Sequence, residues 1–214
     1  MLENLFYMIW RGIAIGVMIS APMGPVGILC IQRTLNRGRR CGYFTGIGAA
    51  LSDMFYCILT GFGISFIEDF LYDNENWIQL FGSVVLLAFV IYLFKSNPSK
   101  TLKKPEEKAG KDSKNVLGGF LFTFSNPMIL FLIIALFARF NFLKPGMNIW
   151  YWMVGYLFIF AGAVGWWWLV TFFIDKVRSH FNIRSMRLVN RVIACVILVF
   201  AIVGTVTSII NMYG

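Results

Sequence analysis

One carboxylate stands alone in apolar sequence. Asp53, within the run Tyr43 to Ile67, is the only acidic residue well inside any long hydrophobic stretch of this chain. A charge at the centre of a bilayer costs about 2.5 to 3.5 kcal/mol on insertion scales, so such a residue marks a functional site by default. It can bind a substrate ammonium or carry a coupled proton. The alternative is a structural carboxylate bonded to a helix break or to a basic partner. Gly46, Ala49, Ala50 and Asp53 share one broad helical face, which turns the carboxylate toward a bundle rather than toward lipid. Gly42, Gly46 and Gly48 leave room on that helix for another backbone to approach.

The second chemical feature is a break in the stretch Leu5 to Ile31. Ser20-Ala21-Pro22-Met23-Gly24-Pro25-Val26-Gly27 places two prolines and two glycines within eight residues. Each proline lacks a backbone donor and clashes with the preceding turn, so a helix cannot run through. In hydrocarbon the freed backbone groups must be satisfied by protein or by a watered cavity. A related run, Ser125-Asn126-Pro127-Met128, interrupts a later apolar stretch, and each run is followed by apolar residues and then an arginine, Arg33 or Arg139. Paired interruptions of this kind point to a midplane transport site. Half-helices meeting there present N-terminal amides to an anion and free carbonyls to a cation or ammonium, so a zwitterion can use both ends.

The elements that must position these groups are membrane helices. The chain has 214 residues, 58% hydrophobic and 14% charged, with a mean hydropathy of +0.72, far from a soluble domain. Six apolar segments stand out, roughly Leu5 to Ile31, Tyr43 to Ile67, Trp77 to Phe94, Val116 to Phe137, Trp150 to Ile174 and Val192 to Met212, each of at least 18 residues. That length crosses a hydrocarbon core about 30 Å thick. The fold class expected is all-α, a polytopic membrane protein of six transmembrane helices. Residues 1–94 form a first three-helix half, 95–115 a linker and 116–214 a second half, together one transporter domain. Three spans per half give the halves opposite orientations, an inverted repeat with its first and fourth helices broken.

The net charge of +9 is distributed by loop. Arg33, Arg37, Arg39 and Arg40 fill the first loop, seven lysines from Lys95 to Lys114 the third, and Lys176, Arg178, Arg184, Arg187 and Arg191 the fifth. The second loop carries Glu68, Asp69, Asp73 and Glu75 and no base, and the fourth only Arg139 and Lys144. The positive-inside rule places loops one, three and five in the cytoplasm and both termini outside it. This pattern speaks for a membrane, not for nucleic acid. Tyr7, Trp10, Tyr72, Trp77, Trp150, Tyr151, Trp152 and Tyr213 fall near outer ends, where amphipathic rings sit at headgroup level, while Trp166 to Trp168 lie in the inner half of the fifth span. Arg11 lies near enough to the outer end to snorkel. The first nine residues hold only Glu3 as a charge, unlike the basic start of a cleaved signal, so the first segment reads as a retained helix.

Cys30, Cys41, Cys57 and Cys195 have no metal-ligand spacing and read as small hydrophobes. The lone histidine, His180, falls in a basic loop. No metal site or cofactor is expected. There is no HExxH, no GxSxG and no pair of buried acids, so the chain does not read as an enzyme. Gly12 and Gly16 form a GxxxG pair that can pack within the bundle or between protomers of a homo-oligomer.

Ser20 to Gly27, Cys30-Ile31-Gln32-Arg33, Gly38-Arg39-Arg40 and the pattern Gly42 to Asp53, with Gly118-Gly119-Phe120 and Ser125-Asn126-Pro127-Met128 in the second half, resemble the LysE/RhtB amino-acid exporters. The resemblance covers nearly the whole chain. It implies export of amino acids or related small metabolites across the bacterial inner membrane, driven by proton gradient or potential, and the paired breaks with Asp53 point to alternating access about a midplane site. Carried over by position, it implies a site at Pro22, Gly24, Pro25, Asp53, Asn126 and Pro127, to which the aligned Ser125 is added; the proton-coupling role expected of Asp53 rests on its lone position inside a span. Many members read Pro-Gly-Pro-Asn at the first break, and this chain lacks that asparagine, so substrate identity does not transfer. The alternative is a divalent or heavy-metal cation exporter of the wider superfamily, which needs several Asp, Glu, His or Cys ligands in its spans.

Overall fold

Proline and glycine decide where the helices stop. A computed structural model describes residues 2–22, 24–65, 112–126, 128–143 and 147–176, with positions 77, 80–81, 84–88, 90–91, 191–192, 194–199, 201–203, 205–206 and 210. The acidic second loop, the third-loop lysines before Lys114, most fifth-loop bases, His180, Tyr72, Tyr213 and Pro127 lie outside these residues. Helix α1 spans Leu2–Ser20 and ends two residues before Pro22, which has no N–H to continue the ladder. Helix α2, Pro25–Arg37, starts with proline in its first turn, where the missing donor is no loss and the fixed φ fits. Gly38, at φ 93°, closes α2 with its N–H on the Thr34 carbonyl, a conformation glycine adopts freely. The chain then enters α3, Arg39–Ser65, at once.

A second break follows later in the chain. Helix α4, Asp112–Phe124, and helix α5, Met128–Arg139, flank the second break, and α4 meets Ile129–Arg139 at a bend of 75°. Helix α6, Ile149–Lys176, follows, its entry set by Asn148, whose Oδ1 accepts the Trp150 N–H at 3.1 Å. Every regular element among the described residues is an α-helix. Arg39–Gly63 and Ile149–Lys176 are each long and apolar enough to cross a membrane, and the bent pair supplies a third such span if it is one. The third and sixth expected spans are described only in part. Helical positions in both, Leu86 and Val90, and Ala194, Ile197 and Ala201, are buried in the main core with α1, α3, α5 and α6.

Two helix pairs pack most closely, α1 on α6 and α3 on α4. Both contacts depend on glycine. A Cβ at Gly12 would stand 2.6 Å from the Gly155 carbonyl, and one at Gly16 would fall on the Ile159 carbonyl. A Cβ at Gly48 would likewise fall on the Val116 carbonyl, and one at Gly119 on the Thr45 carbonyl. The Gly12 and Gly16 pair is therefore used within the chain, against α6. Without a hydrophobic drive between helices in lipid, such close approach is what holds membrane helices together.

Two expectations gain detail. The Arg11 guanidinium, expected near the outer end, donates to the carbonyls of Phe140 and Asn141 and lies over the Tyr7 ring. The end of α5 leaves carbonyls without helical partners, and a nearby cation satisfies them. Cys30, Cys41 and Cys57 are buried as small hydrophobes, whereas Cys195 is exposed on its helix. The tryptophan run divides across two faces of α6. Trp167 is buried against Gly46 of α3, while Trp168 is exposed beneath the Arg39 guanidinium, 5.0 Å from its ring centroid.

Candidate functional site

The first break forms around a short turn. The Ala21 N–H makes the last bond of α1, to the Val17 carbonyl at 2.7 Å, and the Gly24 N–H turns back to the Pro22 carbonyl at 2.8 Å. Gly24 is the N-cap of α2 in an extended conformation, with no side chain capping the helix. A Cβ at Gly24 would meet nothing within 4 Å. The half-helix α2 therefore starts with uncapped amides beside open space.

Asp53 is brought to this break by α3. Its residue is 3% exposed, and Ser20, the last residue of α1, is 4% exposed. The Ser20 hydroxyl donates to Asp53 Oδ2 at 3.1 Å. Asp53 Oδ1 is buried and has no hydrogen-bond partner among the described residues. The face Gly46, Ala49, Ala50 and Asp53 does turn inward. Ala49 and Ala50 pack with Cys30, Ala163 and Trp167, and Val26 of α2 lies against the same cluster. The small side chains bring the first turn of α2 close to the turn of α3 that carries the carboxylate. A buried carboxylate with one oxygen left open, beside a helix start, can accept a donor from a small polar solute.

The second break is held differently. Ser125 and Asn126 close the end of α4, their N–H groups on the carbonyls of Leu121 and Thr123, each at 3.0 Å. The Ser125 hydroxyl donates back to the Leu121 carbonyl at 2.8 Å and the side chain is exposed, so it serves its own helix rather than the Asp53 pairing. The Asn126 carbonyl accepts the Ile129 N–H at 3.3 Å, starting α5. What reaches this break from α3 is Tyr56. Its hydroxyl donates to the Phe124 carbonyl at 2.7 Å, and its ring stacks on Phe124 with centroids 5.3 Å apart. One turn of α3, from Asp53 to Tyr56, thus touches both breaks.

Ser20, expected only as the first residue of the break, and Tyr56 join the residues expected at the site. Ser20 was visible as the polar end of the first apolar run, and Tyr56 as the polar neighbour of Asp53 at helical spacing. Among the other buried polar atoms, Ser52 Oγ on α3 and Thr123 Oγ1 on α4 have no partner among the described residues. No three His, Cys, Asp or Glu side chains come together among the described residues.

At the end of α2, Arg33 donates to Thr45 Oγ1 at 3.0 Å and to the Asn115 carbonyl at 3.3 Å, joining α2, α3 and α4. Arg40 pairs with Asp112 at 2.6 Å. The first loop and the end of the third therefore lie on one side of the bundle.

Residues 17–207 match the LysE type translocator family. The chain is also similar to a Bacillus subtilis (strain 168) protein named "Putative amino acid efflux protein YcgF", with 29% identity over 137 residues, 59% of this chain and 60% of that protein. The chain thus spans 60% of the length of the curated relative it matches. No solved structure matches.

Proposed function

We propose, on the premise that the chain belongs to the LysE type translocator family, that it is a multi-pass membrane transporter rather than an enzyme and exports amino acids or related small metabolites by alternating access. The observation that carries this reading is the Ser20 to Asp53 hydrogen bond, which seats a buried carboxylate at a helix break. Asp53 Oδ1 receives the substrate ammonium or a coupled proton, and the start of α2 receives a carboxylate. The name of the similar Bacillus subtilis protein, with its reference to amino acid efflux, supports the same substrate class.

In this proposal the chain is a single transporter domain of six spans, with 1–94 and 116–214 as inverted halves. Support comes from the reciprocal packing of α1 on α6 and α3 on α4, in which the broken helix of each half lies against the second span of the other. Loops one, three and five are cytoplasmic in the bacterial inner membrane. The shared side of Arg40 and Asp112 agrees with that arrangement for loops one and three. One charge moved through about 100 mV supplies about 2.3 kcal/mol, which concentrates a solute tens of fold.

The test loads vesicles containing the protein with a mixed amino-acid pool, imposes a proton gradient and identifies departing solutes by mass spectrometry. Faster loss of one or a few amino acids than from protein-free vesicles is expected. Equal loss of every amino acid would overturn the proposal.

A further inference from the structure

We propose that Tyr56 is a positioning residue that makes the two breaks move together, with α3 as the rigid link between them. Phe124 is the last residue of α4, and its helical partner four residues on, Met128, opens α5 beyond the 75° bend. The Tyr56 hydroxyl takes that carbonyl at 2.7 Å. The rings of Tyr56 and Phe124 stack, and Phe120 stacks on Phe124 in turn, with centroids 5.7 Å apart. The end of α4 is therefore fastened to α3 by both a polar and an aromatic contact.

Three residues earlier on α3, Asp53 holds Ser20 at the end of α1. Positions three apart on a helix are neighbours on its surface and move as one body. Displacement of α4 at the second break drags the turn that carries Asp53, and so pulls on Ser20. The Ser20 to Asp53 tie is buried, where releasing a polar group without a substitute is costly, and the exposed Tyr56 to Phe124 bond is reinforced by the stacked rings. Both breaks are therefore biased to change partners in one step. This link rests on the reading of the breaks as the moving parts of the transport cycle, but it is tested without substrate.

The experiment is hydrogen–deuterium exchange on the full-length protein in lipid nanodiscs, comparing wild type with Tyr56→Phe, which keeps the ring and removes the hydroxyl. Exchange is expected to rise roughly tenfold in peptides covering 121–130 and also in peptides covering 17–28, matching the loss of one hydrogen bond. The reciprocal variant, Ser20→Ala, is expected to raise exchange at 121–130 as well as at its own break. A rise confined to the mutated break in either variant, or no rise, would overturn the proposal. If Tyr56→Phe does not assemble, Ser20→Ala alone decides. Failure of the vesicle export assay would count against the exporter reading and leave this outcome separately readable.

Discussion

Ser20 and Asp53 lie 33 positions apart in the chain, and the hydroxyl of one meets the carboxylate of the other at 3.1 Å, both residues almost wholly buried. A helix end is thereby fixed to the lone acid of the neighbouring span. The serine satisfies one carboxylate oxygen and leaves the other open, and this inequality between the two oxygens gives the site its direction.

Asp53→Asn removes the charge and keeps the shape. Export should fall about 10- to 100-fold, the loss of a charge-assisted bond, and the residual efflux should lose its dependence on the pH gradient. Initial efflux rates from vesicles at several internal and external pH values check both. Full activity with the wild-type pH dependence would make Asp53 structural.

Ser20→Ala leaves Asp53 Oδ2 without its donor. The unsatisfied group should cost about 1 to 3 kcal/mol of stability, read as a lower melting temperature in detergent. Restoration by Ser20→Thr, which keeps the hydroxyl, distinguishes the bond from simple packing.

Glycine at the two close helix contacts resists replacement. Gly16→Val and Gly48→Val place side-chain carbon on the facing carbonyls of Ile159 and Val116, so each should destabilise by about 1 to 3 kcal/mol or more. Thermal unfolding of the purified variants is the measurement. Gly24→Ala, where a Cβ meets nothing within 4 Å, should unfold at the wild-type temperature.

Arg40 and Asp112 offer the opposite case. Arg40's side chain is 77% exposed, and surface pairs contribute about 0 to 1 kcal/mol. Arg40→Ala should leave both melting temperature and export rate within error of wild type, and a large loss in either would assign this pair a role the geometry does not give it.

Much of this arrangement was legible in the residues. Pro22, Pro25 and Pro127 cannot continue a helical ladder, so the interruptions were fixed by covalent chemistry. The inward face of α3 followed from helical spacing, because Gly46, Ala49 and Ala50 share a face with Asp53. Arg11 was less legible. Its charge and position suggest snorkelling, and only the fold shows that the carbonyls at the end of α5 come within its reach.

The sequence by itself determined the membrane-helical class, the place of the first break and the burial of one carboxylate, because these depend on local rules of hydrogen bonding, helical period and solvation. Only the tertiary structure decided that Ser20 would be the residue to meet Asp53, that Tyr56 would take the Phe124 carbonyl, and that Ser125 would turn back onto its own helix. Those outcomes depend on which helices lie side by side. Helix period states which face a residue occupies, but not which partner from 33 or 68 positions away arrives at that face.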